Sequence, residues 1–334
     1  MDNKNRNSRY PPESAGRRMT TNIPTALPEE RILDIRKRLF EKAKDFETLN
    51  YIYVLDQERR LTGVLSLKDV FQKPGESKVE NLMTRDVIRV RPRADQEKVA
   101  ILALRHNLKS IPVVGKENLF LGVVPSDVIL EILHSEDVED ILRFAGISKH
   151  NAFAVKIFQA SPTVLTKLRL PWLVLGLFGG LLAAQIVNFF EGSLRANFIL
   201  AAFIPLIVYM ADAVGTQTET LFIRSLVYKL DIRNYFFKEV KVGLTIALIL
   251  GTSLFLVSYL WFKLFYIGII LGVSLFFTIV VAFLLGFSVP YLLNKFKKDP
   301  AVGSGPLGTI IRDILSLMLY FSIALILLRF FPGN

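Results

Sequence analysis

The stretch 301-AVGSGPLGTIIRDILSLMLYFSIALILLRFF-331 decides how this chain is read. It is roughly thirty mostly apolar residues, long enough to cross a bilayer with some tilt. Near its middle stands Asp313. A carboxylate at the centre of such a helix costs about 2.5–3.5 kcal/mol on insertion scales, so it turns toward a bundle interior, a partner or water. At helical spacing Thr309, Asp313, Ser316 and Tyr320 fall on one face. That oxygen-bearing stripe suits hard divalent cations. The alternative is pairing of Asp313 with a base. Its neighbour Arg312 is poorly placed for that, because adjacent positions point about 100° apart on a helix.

Outward from this segment the chain divides into unlike halves. Residues up to about 168 have ordinary charge, and from about 170 the sequence is largely apolar. Five spans of bilayer length are drawn at 170–190, 197–222, 240–262, 265–292 and 303–330. The second contains 205-PLIVYMADAVGTQTET-220, where Asp212, Thr216 and Glu219 recur at i, i+4, i+7 on one face. Two acids inside an apolar run imply an ion-facing role or an interhelical hydrogen-bond cluster, with Glu219 paired to Arg224 in the second case. Gly215 allows another helix to approach closely.

The basic residues between spans alternate in abundance. Lys167 and Arg169, then Arg224, Lys229, Arg233, Lys238 and Lys241, then Lys295, Lys297 and Lys298 fall on one side. Arg195, Lys263 and Arg329 fall on the other. The positive-inside rule therefore places the N-terminal half in the cytosol and the C-terminus outside, after an odd number of crossings in the cell membrane.

The net charge is +11, from 41 Lys and Arg against 30 Asp and Glu. Its placement at span ends, without an aromatic-basic motif, argues against nucleic acid as a partner. With no cysteine there are neither disulfides nor thiolate metal sites, and the three His residues all precede the apolar half. No apolar signal-peptide core follows the basic N-terminus, and no Walker motif appears, so no ATP hydrolysis is expected; the chain is not expected to be an enzyme.

In the first half, residues 1–28 are polar, Pro-containing and aperiodic, and read as a disordered tail. A pattern of helix, strand, turn, strand, helix then runs through Ile32–Ala43, Tyr51–Leu55, Leu61–Leu65 and Ser66–Phe71. It repeats about sixty residues later through Gln96–Leu108, Ser110–Val114, Leu119–Val124 and Ser126–Val128. Ser66 with Asp69 three residues on is a helix-start signature. Glu136, Asp137, Glu139 and Asp140 form an acidic cluster, read either as a solvated helix face or as a weak cytosolic Mg²⁺ sensor. Residues 146–169 form a basic connecting, plug-like helix interrupted at Ser161-Pro162, lying on headgroups or beside the inner mouth of a cation path.

The repeated unit resembles a tandem pair of CBS (cystathionine-β-synthase) domains, at 29–75 and 76–145. The resemblance implies an adenine nucleotide between the halves. The family's ribose pattern is kept as Gly63, Ser66 and Asp69, but Pro125 and Val128 break it in the second copy. Over roughly residues 30–330 the chain resembles the MgtE family of magnesium transporters. The matching pieces are the CBS pair with Glu139-Asp140-Ile141, Leu168–Leu173, Gly215-Thr216-Gln217 with Arg224, Asp299-Pro300-Ala301, Ser304-Gly305-Pro306, Asp313 and Tyr320-Phe321. The fold class so implied is multi-domain, an α+β cytosolic CBS pair plus an all-α polytopic membrane domain of five transmembrane helices at 170–330. The resemblance also implies a homodimer with a pore at the dimer axis, where Asp313 coordinates hydrated Mg²⁺; Asp212, Thr216, Glu219 and Thr309 are the further candidate pore ligands.

Two departures stand out. The family's usual Gly-Gly-Asn is Ala211-Asp212-Ala213 here, and its N-terminal superhelical domain is expected to be absent, which bears on magnesium-dependent closure. Oxygen ligands also admit Mn²⁺ or Co²⁺ as the cation moved. A membrane-anchored nucleotide or Mg²⁺ receptor, whose apolar half only dimerises, is the alternative in a different functional class.

Overall fold

The computed structural model describes residues 7–147, 159–190, 192, 198–227, 231–296, 300 and 305–331. The chain forms two units, Met1–Asp137 and Val138–Asn334. Within the connecting segment, Phe153, Lys156, Ile157 and Phe158 lie outside the described residues.

The first unit is the predicted repeat. Helix α1 (Ala15–Arg18) and strand β1 (Thr25–Ala26) precede α2 (Ile32–Lys42), β2 (Tyr51–Leu55), β3 (Leu61–Ser66) and α3 (Leu67–Gln72). Then come α4 (Gln96–Arg105), β4 (Ser110–Val114), β5 (Phe120–Pro125) and α5 (Ser126–Phe144), whose last residues enter the second unit. The β2–β3 and β4–β5 hairpins are antiparallel, and each register slips at the same place, after Val54 and after Val113. Gly63 faces Val54 and Gly122 faces Val113, so the repeat holds to the level of single residue pairs. Val54 and Val113 are both fully buried. A shared core joins the copies: Tyr53 stacks on Phe120 at 5.4 Å between centroids and its hydroxyl meets Ser110 Oγ at 2.7 Å. Burial pushes the Tyr53 hydroxyl pKa up from its ordinary 10.0.

The expected tail at 1–28 is corrected by the structure over its described part. Ala15 and Met19 enter the core of the second repeat beside Val99 and Ile111. Thr20 exchanges backbone hydrogen bonds with Val123, and β1 then pairs parallel with β2 of the first repeat. The strap passes so close to Gly122 that a Cβ there would stand 2.4 Å from the Thr20 carbonyl oxygen. A few small apolar residues, rather than an apolar period, hold this segment down. Composition therefore concealed it.

The second unit contains five helices long and apolar enough to cross a membrane. They are α6 (Pro162–Phe189), α7 (Phe198–Ala202) continuing into α8 (Ile204–Val227), α9 (Ile232–Phe262), α10 (Phe265–Lys295) and α11 (Pro306–Leu328). Cores match the predicted spans, and several ends run further, because a helix does not stop where the hydrocarbon does; Lys167, Arg169, Arg233 and Lys238 all lie on helical turns beyond the drawn limits, whereas α11 is shorter than its drawn span. Pro162 opens α6 rather than interrupting it, since proline suits the first turn, where its missing N–H has no partner to lose. Pro205 stands likewise at the start of α8. The centre of the unit is α10, the most buried of the five, while α6 is the most exposed. Around it α8, α9 and α11 pack with close approaches at glycine, as where Gly251 and Gly272 meet face to face.

Candidate functional site

Arg312 in α11 organises the charged residues of the membrane unit. A guanidinium in an apolar helix needs partners, and α8 supplies them at the predicted spacing. Arg312 Nε and Nη2 donate to Asp212 Oδ1 at 3.1 and 3.0 Å, and Nη1 donates to Glu219 Oε2 at 2.9 Å. Nη2 also lies 3.1 Å from Thr216 Oγ1 and 3.4 Å from Thr309 Oγ1. The side chains of Arg312 and Glu219 are 3% and 1% exposed, while Asp212 is 36% exposed. Gly215 makes this possible, for a Cβ there would stand 2.3 Å from Arg312 Cδ.

Asp212, Thr216 and Glu219 share a face as the spacing predicts, and within one chain that face holds a guanidinium, as does Thr309. Glu219 pairs with Arg312. On the Asp313 stripe, Ser316 donates to the Arg312 carbonyl at 2.6 Å and Tyr320 to the Leu200 carbonyl at 2.6 Å, so both hydroxyls are spent inside the protomer.

Asp313 is different. It is half-buried, and among the described residues it has neither a hydrogen bond nor an ion pair, although Asp212 and Arg312 are near enough to act on it electrostatically. Its neighbour faces inward and it faces another way, as a step of about 100° requires. A further buried acid, Glu239 in α9, accepts from Thr218 Oγ1 at 2.9 Å. Sequence reasoning weighs Arg312 only as a partner for Asp313 and does not single out Glu239. The signal for Arg312 was its place in an apolar run, where a base is as expensive as the acid beside it.

In the first unit Ser66 caps α3, accepting from Asp69 N at 3.1 Å and donating to Asp69 Oδ2 at 2.5 Å. Both side chains of the candidate nucleotide site are thus bonded to each other. In the acidic cluster, Glu136 accepts from Gln96 Nε2 at 2.6 Å, Glu139 is paired with Arg143, and Asp137 and Asp140 also have partners. Among the described residues no three acidic or His side chains gather closely enough to hold a metal.

With this geometry in place, similarity to known proteins bears on the chain as a whole. A family model described as a divalent cation transporter matches residues 204–323, and a CBS domain model matches 15–75 and 79–135. The magnesium transporter MgtE of Bacillus subtilis is 36% identical over 319 residues, covering 94% of this chain and 70% of the relative. The chain belongs to the MgtE family. Magnesium transporters MgtE of Thermus thermophilus and Enterococcus faecalis are 33% and 31% identical, each over 96% of this chain and 72% and 71% of their own lengths. A solved cytosolic domain of the Mg²⁺ channel MgtE in complex with ATP is 34% identical, with a TM-score of 0.38. The match covers 38% of this chain and 52% of that one, so the chain spans about half of that solved structure. The MgtE family is one of membrane transporters, not of enzymes, and the CBS model's first match takes in the strap from Ala15.

Proposed function

We propose that the chain moves Mg²⁺ across the cell membrane as a homodimer, with Asp313 of each subunit meeting the ion at a shared axis. One observation carries this reading: Asp313 is the acid of the membrane unit left without an ion pair or hydrogen bond among the described residues, while the base beside it is fully engaged. An unpaired carboxylate in a bilayer-crossing helix is tolerable only where water or an ion reaches it. Mg²⁺ holds its waters tightly and is bound through one or two carboxylates plus retained water, and two symmetry copies supply that pair. The names of the relatives support the cation. Movement is downhill along the ion's gradient and the membrane potential. The CBS pair lies in the cytosol and the C-terminus outside, following the positive-inside bias. Regulation enters through the CBS pair, with an adenine nucleotide at Gly63, Ser66 and Asp69.

The test is uptake into liposomes followed with a fluorescent magnesium indicator. Asp313→Ala is expected to reduce uptake to background, and repeating the assay with Mn²⁺ and Co²⁺ orders the cations. Parent-like uptake by the variant overturns the assignment of Asp313. A parent without uptake favours the receptor alternative.

A further inference from the structure

We propose that Arg312 is a tethered cation: its guanidinium fills an oxygen cage, built by Asp212, Thr216, Glu219 and Thr309, that a divalent ion would otherwise occupy. The cage stands on its own geometry, and its consequence, that the mobile ion is confined to Asp313, rests on the transport reading above.

The donor set points to a cation. Two carboxylates and two hydroxyls converge on one nitrogen fork, and all four donors are oxygens of the kind that hard divalent ions prefer. The guanidinium does not exhaust them. Glu219 is 1% exposed, yet its Oε1 has no hydrogen-bond partner, so a buried acceptor is left over. The other oxygen of Asp212 is likewise unbonded among the described residues. Two acids against one base also leave the cage with a net negative charge, which a simple interhelical staple would not need. The wall is shaped to the arginine stem as well: at Gly215 a Cβ would stand 2.3 Å from Cδ and 2.9 Å from Nε of Arg312. The chain has thus placed a fixed charge in a position suited to a mobile one.

Arg312→Gln in the full-length protein removes the tethered charge and leaves the oxygens. The measurement is the thermal unfolding midpoint in detergent, with and without millimolar MgCl₂ or MnCl₂ at matched ionic strength. The variant is expected to be less stable than the parent without divalent ions. On adding them it should gain roughly 5–10 °C beyond any gain the parent shows, the shift for an ion at about a hundredfold its Kd. Arg312→Gln/Glu219→Gln, which leaves no fully buried charge unpaired, serves as the folding control and should lose that extra gain. A variant that is no better restored than the parent, or that fails to fold in both conditions while the control folds, overturns the proposal. So does a control that keeps the extra gain or fails to fold. The midpoint does not depend on flux, so failure of the Asp313 uptake test and failure of this one are read separately.

Discussion

The contact between Gly215 and Arg312 gives a prediction whose size follows from the structure. In Gly215→Ala the new methyl would stand 2.3 Å from Arg312 Cδ and 3.2 Å from the Ala282 carbonyl oxygen. Either α8 and α11 separate, or the arginine stem moves. Separation is overpacking and costs about 1–3 kcal/mol. Moving the stem strips the partner from Glu219, which is 1% exposed, and an uncompensated buried charge costs about 3–5 kcal/mol. The cheaper route wins, so the loss is about 1–3 kcal/mol, or roughly 2–12 °C in the unfolding midpoint of a unit this size. The assay is thermal unfolding of the detergent-solubilised protein, with Gly176→Ala as control. A Cβ at Gly176 meets nothing within 4 Å, so only helix propensity changes, in the stabilising direction. A Gly215→Ala protein as stable as the Gly176→Ala protein would show that Arg312 is not held against α8.

Two further predictions concern the first unit. Tyr53→Phe leaves the buried Ser110 hydroxyl without its 2.7 Å partner and should destabilise the CBS pair by about 1–3 kcal/mol, measured by denaturant unfolding. Because the folded-state pKa of Tyr53 is raised, its contribution is fully present below pH 10.0 and is lost as pH rises above it, so the variant's stability should fall less steeply on the alkaline side. Ser66→Ala removes the α3 cap and should cost about 1 kcal/mol; calorimetric titration with ATP then separates the cap from a ribose contact, since loss of binding beyond the loss of stability requires the hydroxyl on the ligand.

What could be read beforehand follows from the kind of signal each feature leaves. Bilayer-length apolar runs and a strand–turn–strand unit met twice are local patterns, and both repeats and all five spans could be drawn from them. The strap at 15–26 leaves no such pattern. It pairs through two strand residues and buries scattered small side chains, so its polar, proline-containing composition reads as disorder. At the membrane site the common face of Asp212, Thr216 and Glu219 followed from helical spacing alone. What that face meets depends on which helix lies opposite, and spacing within one segment cannot supply that. Arg312 was weighed only as a partner for its neighbour Asp313, although an isolated base in an apolar helix calls for a partner across helices as strongly as an acid does.

Charge accounting across this layer connects the caged arginine to transport. Three acids, Asp212, Glu219 and Asp313, stand with one base, Arg312. With the acids ionised these four groups carry an excess of two negative charges per subunit, a field that attracts a divalent cation more strongly than a monovalent one. Without Arg312 the excess would be three, and the two carboxylates of the cage would add inner-shell ligands to those at Asp313. A path conducts only if its sites bind strongly enough to admit the ion and weakly enough to release it. If Asp313 meets the ion as proposed, Arg312, by filling the cage oxygens with a charge that cannot leave, would keep Asp313 as the carboxylate offered to a hydrated ion. On this account Arg312→Gln should tighten divalent binding and slow uptake together, whereas a purely structural arginine would lose both.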